Sequence, residues 1–194
     1  MEALTFADQV HGAVVTLVVP EMKGAGVGAG ADAFPSTDAL LTSQSGICLT
    51  ILTADCLPII LADPKRRIVS VVHAGWRGTF DRIAKNAVEA MVGAGARLAE
   101  IQARLGPHIV GGCYEVGEEL HEQFAKRFPL PPAVIGYYLD IAALNTDVLM
   151  GAGVPAENIE TIDICTHCRG DLFYSWRREG VTGRQAAMAA LLPI

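Results

Sequence analysis

ICLTILTADCLP (residues 47–58) and RIVSVVHAGWRG (residues 67–78) are two neighbouring apolar runs, each with the length and the Ile, Val and Leu content of a buried strand. Cys56 and His73 stand near their ends, where a sheet gives way to loop. The chain between them is long enough for a strand, a turn and a second strand, so the two side chains can meet on adjacent strand ends. A thiolate beside an imidazole is either a nucleophile with its base or half of a metal site. The sequence therefore predicts a reactive centre here and leaves both chemistries open.

The composition of the chain predicts one compact domain over residues 1–194. Its 194 residues and 51% hydrophobic content are enough to bury a sizeable core. No apolar stretch of the sequence reaches the roughly 18 residues that a transmembrane helix needs. The start, MEALTFADQVHG, lacks the basic and apolar regions of an export signal. We expect a cytoplasmic protein without membrane attachment.

Charge and cysteine usage exclude other classes of partner and fold. Fifteen Lys and Arg against twenty-one Asp and Glu give a formal net charge of −6, with no basic cluster longer than KRR at 65–67. Nucleic acid is therefore not an expected partner. The five cysteines are an odd number without small-scaffold spacing, so we expect reduced thiols. The pair in CTHC, Cys165 and Cys168, is interpreted as structural because no second CxxC accompanies it.

Strand and helix patterns alternate along the rest of the chain without a linker or a repeat. Short apolar runs indicate three further strands, at 13–19, 101–106 and 159–166. Apolar residues with helical spacing indicate three amphipathic helices, at 79–96, 117–128 and 139–150. Residues 23–37 form a Gly- and Ala-rich loop, and Pro129 is expected to end the second helix. The Ala-rich C-terminal end fits either a helix or a strand.

Six blocks of sequence resemble one known family and lie in its order and rough spacing over nearly the whole chain. They are QVHG at 9–12, TADCLP at 53–58, VHAGWRG at 72–78, GP followed by CYEVG at 106–117, LD at 139–140 and SWRREGVTGR at 175–184. The chain resembles the bacterial polyphenol oxidase or laccase-like family, whose members are regarded as purine nucleoside phosphorylases with adenosine deaminase activity. The resemblance implies an α+β fold, a layered α/β/β/α sandwich with mixed sheets that is shared with toxin-type cysteine hydrolases.

The same resemblance implies a zinc site formed by His11, Cys56 and His73. Two imidazoles and one thiolate leave a fourth tetrahedral position open, which is the arrangement of catalytic zinc. The residues alone do not select His11; only the family does. Copper is the alternative metal, asserted by the older family name. Asp55, adjacent to Cys56, is interpreted as a proton shuttle or as a carboxylate that orients a metal ligand.

The substrates implied by the resemblance are a purine nucleoside (adenosine, inosine or methylthioadenosine) and inorganic phosphate. Activation of water at an open zinc site accounts for deamination at C6 of adenine. Phosphorolysis needs local positive groups that hold the phosphate. Arg77 follows His73 by four residues and is the first candidate. The tail supplies second candidates for phosphate or substrate binding, namely Arg177, Arg178 and Arg184.

Three other functions stay open at the level of sequence. Cys56 as nucleophile and His73 as base would make a metal-independent hydrolase of an amide or ester. A copper-dependent polyphenol oxidase is disfavoured, because laccase chemistry needs several copper ligands and the chain has five His in all. A non-catalytic zinc-binding remnant is the third, because we expect the segment that family members carry ahead of QVHG to be missing. A monomer and a homodimer are equally compatible with the sequence.

Overall fold

Strands and helices alternate along the chain in the computed structural model, which describes residues 4–27, 32–128 and 136–193. The strands are β1 Leu4–Phe6, β2 Val15–Leu17, β3 Ala39–Thr42, β4 Cys48–Thr53, β5 Leu57–Asp63, β6 Ile68–Ala74, β7 Gln102–Leu105, β8 Ile159–Thr161 and β9 Gln185–Ala190. The α-helices are α1 Trp76–Phe80, α2 Ile83–Gly93, α3 Glu118–Arg127, α4 Ile141–Gly151 and α5 Trp176–Glu179. Within the described residues, no helix combines the length and the hydropathy of a membrane span.

The strands form two mixed sheets. The larger sheet has the order β2-β3-β6-β5-β7-β8, with the parallel pairs β2/β3 and β7/β8 at its edges and antiparallel pairs between them. The smaller sheet has the order β1-β4-β9, in which β1 runs parallel and β9 antiparallel to β4. The predicted α+β class with mixed sheets is confirmed.

The second apolar run, at 67–78, owes its composition to burial on both sides of β6, whereas the first, at 47–58, contains β4 of the smaller sheet. Every residue of β6 is buried. Ile68 and Val72 face the core under the helices, whereas Val69 and Val71 face the core between the two sheets. A strand that is covered on both faces has no solvent side, so its sequence lacks the polar alternation of a surface strand.

Helices α2, α3 and α4 contribute side chains to the first of these cores. Helix α2 presents the predicted apolar face, whose buried members are Ile83, Ala84, Ala87, Val88 and Met91. The second core is formed by the inner faces of the two sheets, with Leu49 and Ile51 of β4 against β6. The larger sheet is thus the middle layer of the molecule, and its hairpin β5-β6 lies at the centre.

Several predicted boundaries differ from the structure. The helix expected over 79–96 is two helices, α1 and α2, because Arg82 adopts a left-handed φ of 59° between them. The strand expected over 159–166 ends at Thr161, and the one expected over 13–19 is limited to 15–17. The Ala-rich end is strand β9, which pairs along the whole of β4. Part of the Gly-rich loop, 28–31, and Pro129 lie outside the described residues.

Candidate metal centre and active-site pocket

His11, Cys56 and His73 meet at one end of the β5-β6 hairpin. The antiparallel register places Cys56, one residue before β5, beside His73 of β6, and His11 comes from the loop between β1 and β2. One metal-binding atom of each residue lies within 4.8 Å of the others. Gly75 packs against them so closely that a Cβ there would lie 2.9 Å from the His11 ring and 3.1 Å from the Cys56 sulfur. The three residues of the implied zinc site are therefore neighbours in space.

Asp38, which sequence analysis did not select, holds both histidines in place. Its fully buried carboxylate accepts hydrogen bonds from the backbone N–H groups of Val10, His11 and Gly12, at 3.2, 2.9 and 2.7 Å. It also lies 2.8 Å from Nδ1 of His73. This clamp stabilises the left-handed φ of 63° at His11, a conformation that residues other than glycine rarely adopt. Because Nδ1 of His73 is bonded to Asp38, Nε2 is left as its metal-binding or basic nitrogen.

The imidazoles around Cys56 favour its thiolate form. Burial alone would raise the pKa of Cys56, but hydrogen bonds and charge from His11 and His73 lower it to about 6. Burial would lower the pKa of His73, whereas its hydrogen bonds to Asp38 and Cys56 raise it to about 9. Burial acts to raise the pKa of Asp38 as well, but His73 and the N–H groups of the His11 loop hold it below its usual value.

This donor set fits a metal ion. A thiolate and two imidazoles suit Zn²⁺ and leave one tetrahedral position for water or substrate, and copper binds to the same donor types. A carboxylate behind a metal-binding histidine, as Asp38 lies behind His73, fixes the orientation of the imidazole. The same atoms also form a thiolate–imidazole–carboxylate series, so the geometry is compatible with nucleophilic catalysis by Cys56.

The cluster forms part of the wall of a cavity of about 600 Å³, a size typical of small-molecule sites. Three arginines line the same cavity, and each lies over an aromatic ring. The distances from guanidinium carbon to ring centroid are 4.3 Å for Arg77 over Trp76, 5.2 Å for Arg177 over Tyr114 and 5.9 Å for Arg184 over Trp176. Among the described lining residues Asp55 is the only carboxylate. An acidic protein thus contains a locally cationic, aromatic pocket.

Asp55 attaches the C-terminal segment to this pocket. Its buried carboxylate accepts hydrogen bonds from the hydroxyl groups of Thr166 and Ser175, at 2.7 and 3.0 Å, and from the N–H of Arg177, at 2.7 Å. Its φ of 91° is another left-handed conformation at the site. Since both carboxylate oxygens are engaged by the segment that carries Arg177, the geometry favours an anchoring role for Asp55 over a proton shuttle.

Arg178, a candidate for phosphate or substrate binding, does not line the cavity. Its guanidinium donates to the carbonyl oxygens of Thr166, His167 and Phe173, and it pairs with Glu179. These bonds stabilise the loop between β8 and α5. The structure therefore brings Arg77, Arg177 and Arg184 to the pocket and leaves Arg178 outside it.

Comparison with known proteins assigns the chain to a family. The family model described as multi-copper polyphenol oxidoreductase laccase matches residues 1–192. The chain belongs to this family. The resemblance of the six sequence blocks is thereby confirmed.

Relatives within the laccase-like family carry enzyme names. Adenosine deaminase RL5, from an unknown prokaryotic organism, is 40% identical over 188 residues, which cover 93% of this chain and 72% of the relative. A purine nucleoside phosphorylase of Deinococcus radiodurans is 40% identical over 190 residues, covering 95% of this chain and 68% of the relative. The crystal structure of Bacillus licheniformis protein YfiH matches with a TM-score of 0.92 at 33% identity, covering 98% of this chain and 74% of that one.

Two residues of the site in this laccase-family chain were missed by sequence reasoning: Asp38, behind the cluster, and Tyr114, in the wall of the pocket. Asp38 directly precedes strand β3, much as Cys56 precedes β5, but a single carboxylate before a strand is too common to indicate a site. Tyr114 lies in the CYEVG block, to which the sequence assigned no role. Only the structure shows that β3 is fully buried, and a carboxylate at its start therefore needs hydrogen-bond partners.

Proposed function

We propose that this protein is a zinc-dependent purine nucleoside phosphorylase that also deaminates adenosine. The observation that carries the proposal is a cavity whose wall contains both the open cluster of two histidines and one cysteine and three arginines. The names of the relatives support an enzyme of this kind, since one is a purine nucleoside phosphorylase and another an adenosine deaminase. The proposed substrates are a purine nucleoside and inorganic phosphate.

The metal would be held by His11, Cys56 and His73. When bound there, zinc supplies Lewis acidity that activates water and stabilises developing negative charge. Asp38 fixes the tautomer of His73 through Nδ1 and holds the loop of His11 through three N–H groups. These contacts keep the ligand set organised before any substrate enters, so little reorganisation is needed during the reaction.

The arginines would hold the phosphate. Arg77, Arg177 and Arg184 offer charge-assisted hydrogen bonds to a phosphate dianion in a site where both oxygens of Asp55 are engaged by their own hydrogen-bond donors. In phosphorolysis a phosphate oxygen forms a bond to C1′ of the ribose while the bond from C1′ to N9 of the purine breaks. The products are ribose 1-phosphate and the free base, which takes up a proton.

Aromatic residues would receive the purine. Tyr114 and Trp176 line the cavity and give apolar faces on which a planar base can stack. Burial raises the pKa of Tyr114 to about 12, so its hydroxyl stays protonated at neutral pH. A protonated phenol can donate a hydrogen bond to a leaving purine as negative charge develops on the ring.

The test is to incubate the purified protein with adenosine, inosine and methylthioadenosine, with and without phosphate, and to separate the products by chromatography. Free base should appear only when phosphate is supplied, and inosine should form from adenosine without it. If a metal-replete preparation leaves all three nucleosides unchanged, the proposal fails. Elemental analysis of the same preparation decides between zinc and copper.

A metal-independent hydrolase is the second candidate, favoured by one specific observation. Cys56 interacts with His73, and His73 with Asp38, in the order of a cysteine–histidine–aspartate triad. Such an enzyme would be inactivated by alkylation of Cys56 and would be indifferent to a chelator. The phosphorylase would lose activity to the chelator and regain it when zinc is added back.

A further inference from the structure

A second group of metal-binding side chains lies outside the pocket, in two loops that are distant in sequence. Cys165, His167 and Cys168 belong to the CTHC segment after β8, and Cys113 lies in the turn between β7 and α3. One donor atom each from Cys113, His167 and Cys168 lies within 4.8 Å of the others. Cys165 lies outside this mutually close group, but its thiol neighbours those of Cys113 and Cys168 and interacts with both. We propose that these four side chains form a second, structural metal site for Zn²⁺ or another thiophilic divalent cation.

The sulfur geometry fits a shared ion. The Sγ atoms of Cys113 and Cys168 are 3.4 Å apart. Two thiolates on one tetrahedral zinc ion are about 3.8 Å apart, given Zn–S bonds of about 2.3 Å, whereas a disulfide requires about 2.05 Å. Two thiols this close repel each other once both ionise, unless a cation lies between them. The observed spacing is therefore closer to that of metal ligands than to that of a disulfide.

His167 provides an observation that does not depend on the thiols. Its Nδ1 is buried and has no hydrogen-bond partner among the residues that the structure describes. A buried polar nitrogen without a partner is unfavourable and calls for a ligand or a bound ion. Coordination of a metal through Nδ1 would remove the deficit. The backbone here is already held, because Arg178 donates to the carbonyl oxygen of His167.

The number of ligands gives this site a different role from the first. Three thiolates and one imidazole complete a tetrahedral shell and leave no position for substrate, as in structural zinc sites. Tyr114, next to Cys113, lines the pocket, and Thr166, next to Cys165, donates its hydroxyl to Asp55. A bound ion would therefore join two walls of the pocket across 55 residues of sequence.

The test is the zinc content of the purified full-length chain, kept under a reducing agent and dialysed before elemental analysis. We expect two zinc ions per chain in the wild type, one in Cys56→Ala and one in Cys168→Ser. The matched control, Cys48→Ser, changes a thiol of β4 that belongs to neither cluster and should keep both ions. A folded Cys56→Ala variant without metal, or Cys168→Ser with the full wild-type content, would overturn the second site.

Cobalt substitution covers the case in which Cys168→Ser fails to fold. The Cys56→Ala variant keeps all four side chains of the proposed site, so Co²⁺ should still give it an intense thiolate-to-cobalt charge-transfer band. Absence of that band would overturn the site, and so would a mass two hydrogens lower in a metal-free chain, which would show a disulfide in its place. Zinc content and the cobalt band are both measured without any assay of nucleoside turnover. The second metal site and the phosphorylase activity can therefore be refuted independently.

Discussion

Replacement of Asp38 by asparagine should weaken metal binding at the first cluster without changing any proposed ligand. The carboxylate accepts four hydrogen bonds, three from the backbone of residues 10–12 and one from His73. An asparagine of the same shape has one acceptor oxygen, so either orientation of the amide loses the two bonds on the other side. His73 or the His11 loop is then no longer held.

The size of the effect follows from those two lost bonds. A hydrogen bond to a buried charged group contributes about 1.5–3 kcal/mol, so Asp38→Asn should lower the free energy of unfolding by about 3 kcal/mol or more. Loss of the group that orients a metal-binding histidine lowers metal affinity by about 10–100-fold. Urea unfolding measures the first quantity, and competition with a chromophoric zinc chelator measures the second.

The control for Asp38 is Asp147→Asn, which makes the same chemical change at an exposed position of α4. It should alter neither the urea midpoint nor the zinc affinity. If Asp38→Asn binds zinc as tightly as the wild type and unfolds at the same urea concentration, Asp38 does not organise the cluster.

Four further substitutions test other parts of the site. Cys56→Ala should abolish phosphorolysis and remove the zinc of the first cluster, as measured by product chromatography and elemental analysis; retention of that zinc would exclude the ligand set. Arg177→Ala should raise the KM for phosphate by about 10–100-fold, the equivalent of one charge-assisted hydrogen bond, with a smaller change in the KM for nucleoside. Arg178→Ala should instead lower Tm and leave the phosphate KM of the folded enzyme nearly unchanged, and the opposite pattern for the two arginines would refute their assignment. Gly75→Ala should lower zinc affinity because its Cβ would lie 2.9 Å from the His11 ring, and an unchanged affinity in the chelator assay would contradict that contact.

Part of the centre of the fold could be predicted from the sequence because its determinants are local. The run at 67–78 identifies β6 and the run at 47–58 identifies β4, but β4 lies in the smaller sheet. The strand that pairs with β6 is β5, which begins just after Cys56 and was not predicted. The apolar face of α2 follows from helical spacing. Within these elements, the side chains that pack the core are close in sequence, so the pattern is visible in a short window.

The parts that could not be predicted depend on contacts between distant segments. His11 is held in the site by a hydrogen bond from its backbone N–H to Asp38, which lies 27 residues away in the sequence. Its left-handed backbone conformation cannot be predicted from the sequence around it. The Ala-rich C-terminal segment is a strand because its backbone pairs with β4, although alanine by itself favours a helix. Whether Arg177 or Arg178 enters the pocket depends on the short helix α5, which Ser175 caps.

Because Asp55 is bound by residues from the C-terminal part of the chain, this part of the pocket folds late during synthesis. Its hydrogen-bond donors come from residues 111 to 122 positions later in the chain. During synthesis on the ribosome, the β5-β6 hairpin emerges long before those donors do, and Asp55 must stay hydrated until they arrive. The nascent chain therefore completes its pocket late, and an interrupted translation product would present Cys56 and His73 to solvent without the walls that give them a substrate.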